Sequence, residues 1–215
     1  MRNTKVYHRI SLAMVFLFAA IFTVGAHAQE GHKQTERLVK RAGETLKEIV
    51  GTKQQLQKTL TQYNSIIEGK TDDANKTYKD LVKSVEQCEK KRGDVQKKTD
   101  EMEQEAHIFF QEWTTSLDAI ANADLKKRSQ DRLNDTRVRY GDILRSGRQA
   151  GGEFDAFIGE LRDQITYLGF DLNPSAVASL KGDAAKFNQH GDVLFSKIDD
   201  VSKMITEYIQ SLQPK

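Results

Sequence analysis

The stretch Val177–Leu212 reads VASLKGDAAKFNQHGDVLFSKIDDVSKMITEYIQSL, and the spacing of its apolar residues decides the fold. Leu180, Ala184, Phe187, Gly191, Leu194, Ile198, Val201, Ile205, Tyr208 and Leu212 follow one another in alternating steps of three and four. This period keeps one stripe of a helix against a partner along its whole length. Read backward from the same point, Leu168, Ile165, Leu161, Ile158, Phe154, Ala150, Gly147, Ile143, Tyr140, Thr136 and Leu133 repeat the steps in mirror order. Ala184 then pairs with Leu161, Gly191 with Phe154, Ile198 with Gly147 and Ile205 with Tyr140, as an antiparallel hairpin requires.

The first half carries the same signature. A helix from about Lys33 to Gly69 has Leu46, Ile49, Leu56, Leu60, Tyr63 and Ile67 on its seam, Lys53 in one seam slot and Gly69 as C-cap. A second starts at Asp72 or Asp73 as N-cap and carries Ala74, Tyr78, Leu81, Val85, Cys88, Arg92, Val95, Thr99, Met102, Ala106, Phe109 and Trp113. The two seams mirror each other, Tyr63 with Tyr78 and Leu56 with Val85, so a turn near Lys70 and Thr71 closes a hairpin. A third helix runs from near Asp124 to Leu168, and a fourth begins where Asn173 caps and Pro174 takes the first helical position.

The joint Ile120-Ala-Asn-Ala-Asp124 holds neither Gly nor Pro. If Asn122 or Asp124 caps a reversal there, the chain is all-α, an elongated antiparallel up-down-up-down bundle of four long helices with coiled-coil-like packing. In that case Ala106 faces Tyr140 and Trp113 faces Leu133. Otherwise the second and third helices fuse into one very long helix with a hairpin at each end.

Arg2, Lys5 and Arg9 precede an apolar run from Ile10 to Val24, followed by Ala26-His27-Ala28. Residues 1–28 thus read as a cleavable signal peptide, because the run is shorter than the ~20 residues of a membrane span and ends in a small-x-small triplet. The expected location is the periplasm, with residues 29–215 as a single helical bundle domain. Taking those three bases from 33 Lys and Arg leaves 30 against 31 Asp and Glu, a net charge of −1. Charge and export together argue against a nucleic-acid partner. The expected partner is an envelope protein or a second copy of the chain. Cys88 is the only cysteine, so no intramolecular disulfide forms.

No motif for chemistry accompanies the helices. His32, His107 and His190 lack a second metal ligand at helical metal-site spacing, and Gly147-Arg-Gln-Ala-Gly151-Gly152 lacks both the strand and the Lys-Ser/Thr of a phosphate loop. The expectation is a non-enzyme, with no catalytic, cofactor-binding or metal residue and no small-molecule substrate. The helical glycines, costing about 0.5–1 kcal/mol each relative to Ala, read either as holes for bulky residues opposite, Gly191 under Phe154 and Gly147 under Ile198, or as a hinge at Gly151-Gly152. Lys53 and Arg92 interrupt the first hairpin's seam. They either extend to water or fix the register by meeting carboxylates such as Glu48 or Glu89. Cys88 reads as a small seam residue that could cross-link a dimer.

One end of the bundle suggests a surface. The registers place Lys33 opposite Ile108 and Gln213 opposite Arg132, so residues 109–131 protrude as a two-helix tip. Phe109, Phe110, Trp113, Leu117, Ile120 and Leu125 lie there beside Lys126, Lys127, Arg128 and Arg132. Aromatics among Arg and Lys at a free end suit a protein partner or an anionic lipid or glycan surface. Alternatively, the short N-terminal segment and the C-terminus fold over these rings, or the two helices bury them against each other.

The motifs Glu112-Trp113, Leu125-Lys-Lys-Arg-Ser129, Thr136-Arg-Val-Arg-Tyr140, Leu161-Arg-Asp-Gln-Ile-Thr-Tyr-Leu168 and Leu172-Asn-Pro-Ser-Ala-Val-Ala-Ser-Leu180 resemble a bacterial family, the domain of unknown function numbered 2959. The resemblance is strongest over the second half. It implies a helical envelope protein of Gram-negative bacteria and offers no catalytic residues to carry over. Many members of that family bear a lipoprotein cysteine after the signal, where this chain has Ala28-Gln29.

Overall fold

The computed structural model describes residues 16–170 and 172–213, with side chains described from Gly31 on. The first fifteen residues of the expected signal peptide lie outside the described residues. The elements are α1 (Phe16–Ile67), α2 (Ala74–Ser116), a single 3-10 turn (Leu117–Ala119), α3 (Ala123–Phe170), α4 (Pro174–Ser179) and α5 (Lys181–Leu212). Among the described residues there is no strand.

Local chemistry sets each reversal. Gly69 takes φ +66, a conformation open to glycine, and the Lys70 and Gly69 N–H groups donate to the carbonyls of Ser65 and Ile66, closing α1 in a Schellman motif. Asp73 caps α2 by accepting from the Lys76 N–H at 2.9 Å. The joint left open by the sequence is a true turn. Ile120 is extended, and Asn122, not Asp124, caps α3 by accepting from the Leu125 N–H at 3.0 Å. Asp124 falls in the first turn of α3, where the helix dipole favours it. The last helix is broken once, near Leu180, into the short α4 and the long α5.

The result is the up-down-up-down bundle. Cross-helix contacts fix its registers: Arg41 with Glu101 at 3.0 Å between α1 and α2, Arg92 with Asp155 at 3.2 Å between α2 and α3, and His190 with Glu160 at 3.1 Å between α3 and α5. All the apolar positions named on the last helix from Leu180 to Tyr208 are buried. The first helix departs from expectation. Besides Leu56, Leu60, Tyr63 and Ile67 it buries Leu38, Ala42, Thr45, Thr52, Thr59 and Ile66, a second stripe that packs on α2. The three threonines each donate to the carbonyl one turn back, at 2.8–3.0 Å, which satisfies the hydroxyl and leaves the methyl for packing.

Two apolar cores are strung along the bundle. The core at the turn end holds Leu56, Tyr63, Leu81, Cys88, Phe157, Leu161, Phe187 and Leu194; the core toward the α2–α3 tip holds Leu38, Met102, Phe109, Tyr140, Ile143, Ile205 and Tyr208. Ile49 touches both. Lys53 and Arg92 meet carboxylates, as one reading of the sequence requires, but on other helices than expected: Lys53 pairs with Asp199 at 2.6 Å and Arg92 with Asp155. Glu89 pairs instead with Arg162 at 2.6 Å.

Candidate functional site

The α2–α3 turn brings Phe109, Phe110, Trp113, Lys126, Lys127, Arg128 and Arg132 to one end of the bundle. The rings do not stand free. Phe109 is buried and packs edge-on against Trp113, with centroids 5.5 Å apart; Phe110 and Trp113 are half-buried. The Trp113 indole N–H donates to the Ser129 hydroxyl at 3.0 Å, tying α2 to α3. Arginines roof the outer faces, Arg132 over Trp113 at 5.9 Å and Arg137 over Phe110 at 5.5 Å, each such contact worth about 0.5–1 kcal/mol when exposed. Lys126 pairs with Asp118 and Lys127 with Asp131, at 3.1 and 2.8 Å. Leu125 and Arg128 are left on the surface. The tip is also shorter than the registers predict, because the Gln34 side chain donates to Glu112 at 3.1 Å, one helical turn beyond Ile108.

A second feature lies at the waist, where α2 and α3 part between the two cores. A cavity of about 340 Å³ opens there, walled by Ile49, Val95, Met102, Ile143, Ile198 and Val201, with Thr45, Thr52 and Thr99 among them. Gly147, Gly151 and Gly152 form its α3 side. A Cβ on Gly147 would meet nothing within 4 Å, and Gly152 lies exposed at the rim. Kept dry and empty, that volume would cost about 8 kcal/mol at ~24 cal/mol per Å³, comparable to the whole stability of a domain. The cavity opens to solvent, which relieves this cost by admitting small molecules, water first among them.

Ion pairs frame the mouth. Arg92 crosses Gly151, where an added Cβ would stand 2.7 Å from Nη2, to reach Asp155 on α3. Arg148 reaches back to Glu103 on α2 at 3.4 Å and remains 72% exposed. On the tip side of the cavity, Tyr140 and Tyr208 lie with ring centroids 5.9 Å apart, and their buried hydroxyls have no hydrogen-bond partner among the described residues. Burial pushes both phenols well above the usual tyrosine range, Tyr140 further under the charge of Glu103.

The glycine readings therefore divide. Gly191 is a hole for bulk, its missing Cβ 3.2 Å from Leu60 Cδ2 and 3.3 Å from Phe157 Cε2, so the knob is Phe157 rather than the expected Phe154. Gly147 has no knob. Gly151-Gly152 lies within the continuous helix α3. Cys88 is fully buried, 3.3 Å from the Thr59 hydroxyl, and burial pushes its thiol up to about 11, so it cannot reach a second chain. His190 sits between Glu153 and Glu160 and against the edge of Phe157. Among the described residues no group of three or more His, Cys, Asp or Glu side chains is placed to hold a metal ion, and no described helix is long and apolar enough to cross a membrane.

Fold and sites define an elongated antiparallel helical bundle. The family model described as "Protein of unknown function (DUF2959)" matches residues 24–212, and the chain belongs to that family. No curated protein and no solved structure matches the chain. The waist cavity was not read from the sequence; its signal was three glycines within six residues of α3 facing the modest side chains of Val95 and Thr99.

Proposed function

We propose that the protein is a non-catalytic, exported structural or interaction protein of the bacterial cell envelope that presents its α2–α3 end to a partner protein. The observation that carries this reading is the tip itself. Aromatic rings are held between two helices, Arg132 and Arg137 lie over Trp113 and Phe110, and Leu125 and Arg128 stand exposed beside them. Aromatic and arginine side chains are the ones enriched at protein interfaces. Export is supported by the basic residues, apolar run and Ala26-His27-Ala28 at the N-terminus.

Expressed in a Gram-negative host, the protein should reach the periplasmic fraction with Gln29 as its first residue; a cytosolic product retaining Met1 overturns the export. A photo-crosslinker at Leu125 should give one dominant adduct in cells that is lost on Arg132→Glu, while one at exposed Val193 gives none. Equal adducts from both positions would discard the tip as the contact surface.

A second reading is favoured by the exposure of Lys127, Arg128, Arg132, Arg137 and Arg139 along the first half of α3. These bases suit an anionic lipid or glycan surface. Binding to anionic vesicles that falls with salt and disappears in Lys127→Glu/Arg128→Glu would select it over a protein partner.

A further inference from the structure

We propose that the waist cavity is a binding site for a neutral hydrophobe of roughly a dozen carbon atoms, for which a medium-chain alcohol serves as the probe. The inference is independent of the tip and goes beyond the reading above. Size is the first argument. A cavity of ~150 Å³ takes one benzene, so about 340 Å³ has room for roughly a dozen carbons, and it falls at the small end of the range typical of ligand pockets.

The wall behind the charged rim favours an apolar guest. The Thr45, Thr52 and Thr99 hydroxyls already donate to backbone carbonyls, and Ile49, Val95, Met102, Ile143, Ile198 and Val201 make up most of the wall around them, so water entering past the rim finds few partners. Displacing such poorly held water by an apolar group favours binding.

The rim sets the charge. Its two cations, Arg92 and Arg148, are each matched by a carboxylate from the facing helix, Asp155 and Glu103. An anionic head would have to break one of these pairs, whereas an uncharged body enters between them.

The test is displacement of a neutral fluorescent hydrophobe, N-phenyl-1-naphthylamine, from the purified protein by 1-dodecanol, dodecanoate or dodecyltrimethylammonium. Dodecanol should displace the dye at one equivalent and at least tenfold more tightly than either charged analogue. Gly147→Leu and Thr99→Leu, which fill the cavity from opposite walls, should each weaken dodecanol at least tenfold while leaving the melting temperature unchanged or higher. The proposal is overturned by absence of saturable binding, by dodecanoate binding as tightly as dodecanol, or by filled variants that bind as the parent does. If one variant fails to fold, the other carries the comparison, and the alcohol-against-carboxylate ratio of the parent decides the ligand class on its own.

Discussion

At the turn end of the bundle, Gly191 on α5 is pressed by Leu60 and Phe157, which would stand 3.2 and 3.3 Å from an added Cβ, closer than ordinary van der Waals contact. At the waist, Gly147 on α3 has open space where its side chain would stand. Both glycines occupy seam positions of one hairpin with one period. What separates them is the partner across the seam: Phe157 stacks on Phe187 at 4.2 Å and fills the turn-end core, while α2 brings no aromatic ring to the waist, its apolar side chains there being Val95 and Met102. A regular repeat therefore sets where helices meet without setting whether the meeting is full.

The comparison breaks most visibly at Phe157. Phe157→Ala opens a void in the closed core and should cost about 3–5 kcal/mol, read as a lower denaturation midpoint with unchanged slope. Ile143→Ala at the waist should cost distinctly less, because one side of that residue already faces the cavity. Equal losses at the two sites would mean that the waist closes in solution.

Alkaline pH probes the closed cores by another route. Burial pushes Cys88 up to about 11 and Tyr63 up to about 12, with Tyr140 and Tyr208 also raised. Each group is held protonated in the folded state above the pH at which the unfolded chain loses that proton. The stability they contribute is whole below about pH 9 and is lost as pH rises through the folded values. Thermal melts should decline from pH 9 upward, and Cys88 should resist alkylation at pH 8 until denaturant is added.

Gly191→Leu is the next step down. Its side chain must displace Leu60 or Phe157, an overpacking cost of about 1–3 kcal/mol, which lowers the melting temperature by about 2–4 °C per kcal/mol for a chain of this size. An unchanged melt would show that the α5 register is wrong.

The architecture was legible because its signal is periodic. Leu180 through Tyr208 and the mirrored set on α3 are apolar side chains at apolar positions, and the caps at Gly69, Asp73 and Asn173 are local chemistry. The α1 stripe of Thr45, Thr52 and Thr59 was not, because a hydroxyl reads as polar until its bond to the preceding turn is seen. Phe157 was missed because it lies one residue off the seam that Phe154 and Ile158 define. The tip residues were read as a group, but the inward turn of their rings depends on the Trp113–Ser129 bond and the arginine roof, which no spacing encodes. The cavity is a property of four helices at once, so its glycines alone could not separate a filled hole from an open one.

The smallest expected effect is the one that most sharpens the contrast. Gly147→Ala adds a methyl that meets no atom within 4 Å, while it removes the conformational freedom glycine gives the unfolded chain. It should stabilise by about 0.5–1 kcal/mol, the opposite sign to Gly191→Leu although both enlarge a glycine in the same helical hairpin. Differential scanning calorimetry of the two variants side by side reads that sign directly. A loss of stability in Gly147→Ala would mean that the α3 glycines are already packed against α2 or α5 in solution, and that the waist is a closed seam like the turn end.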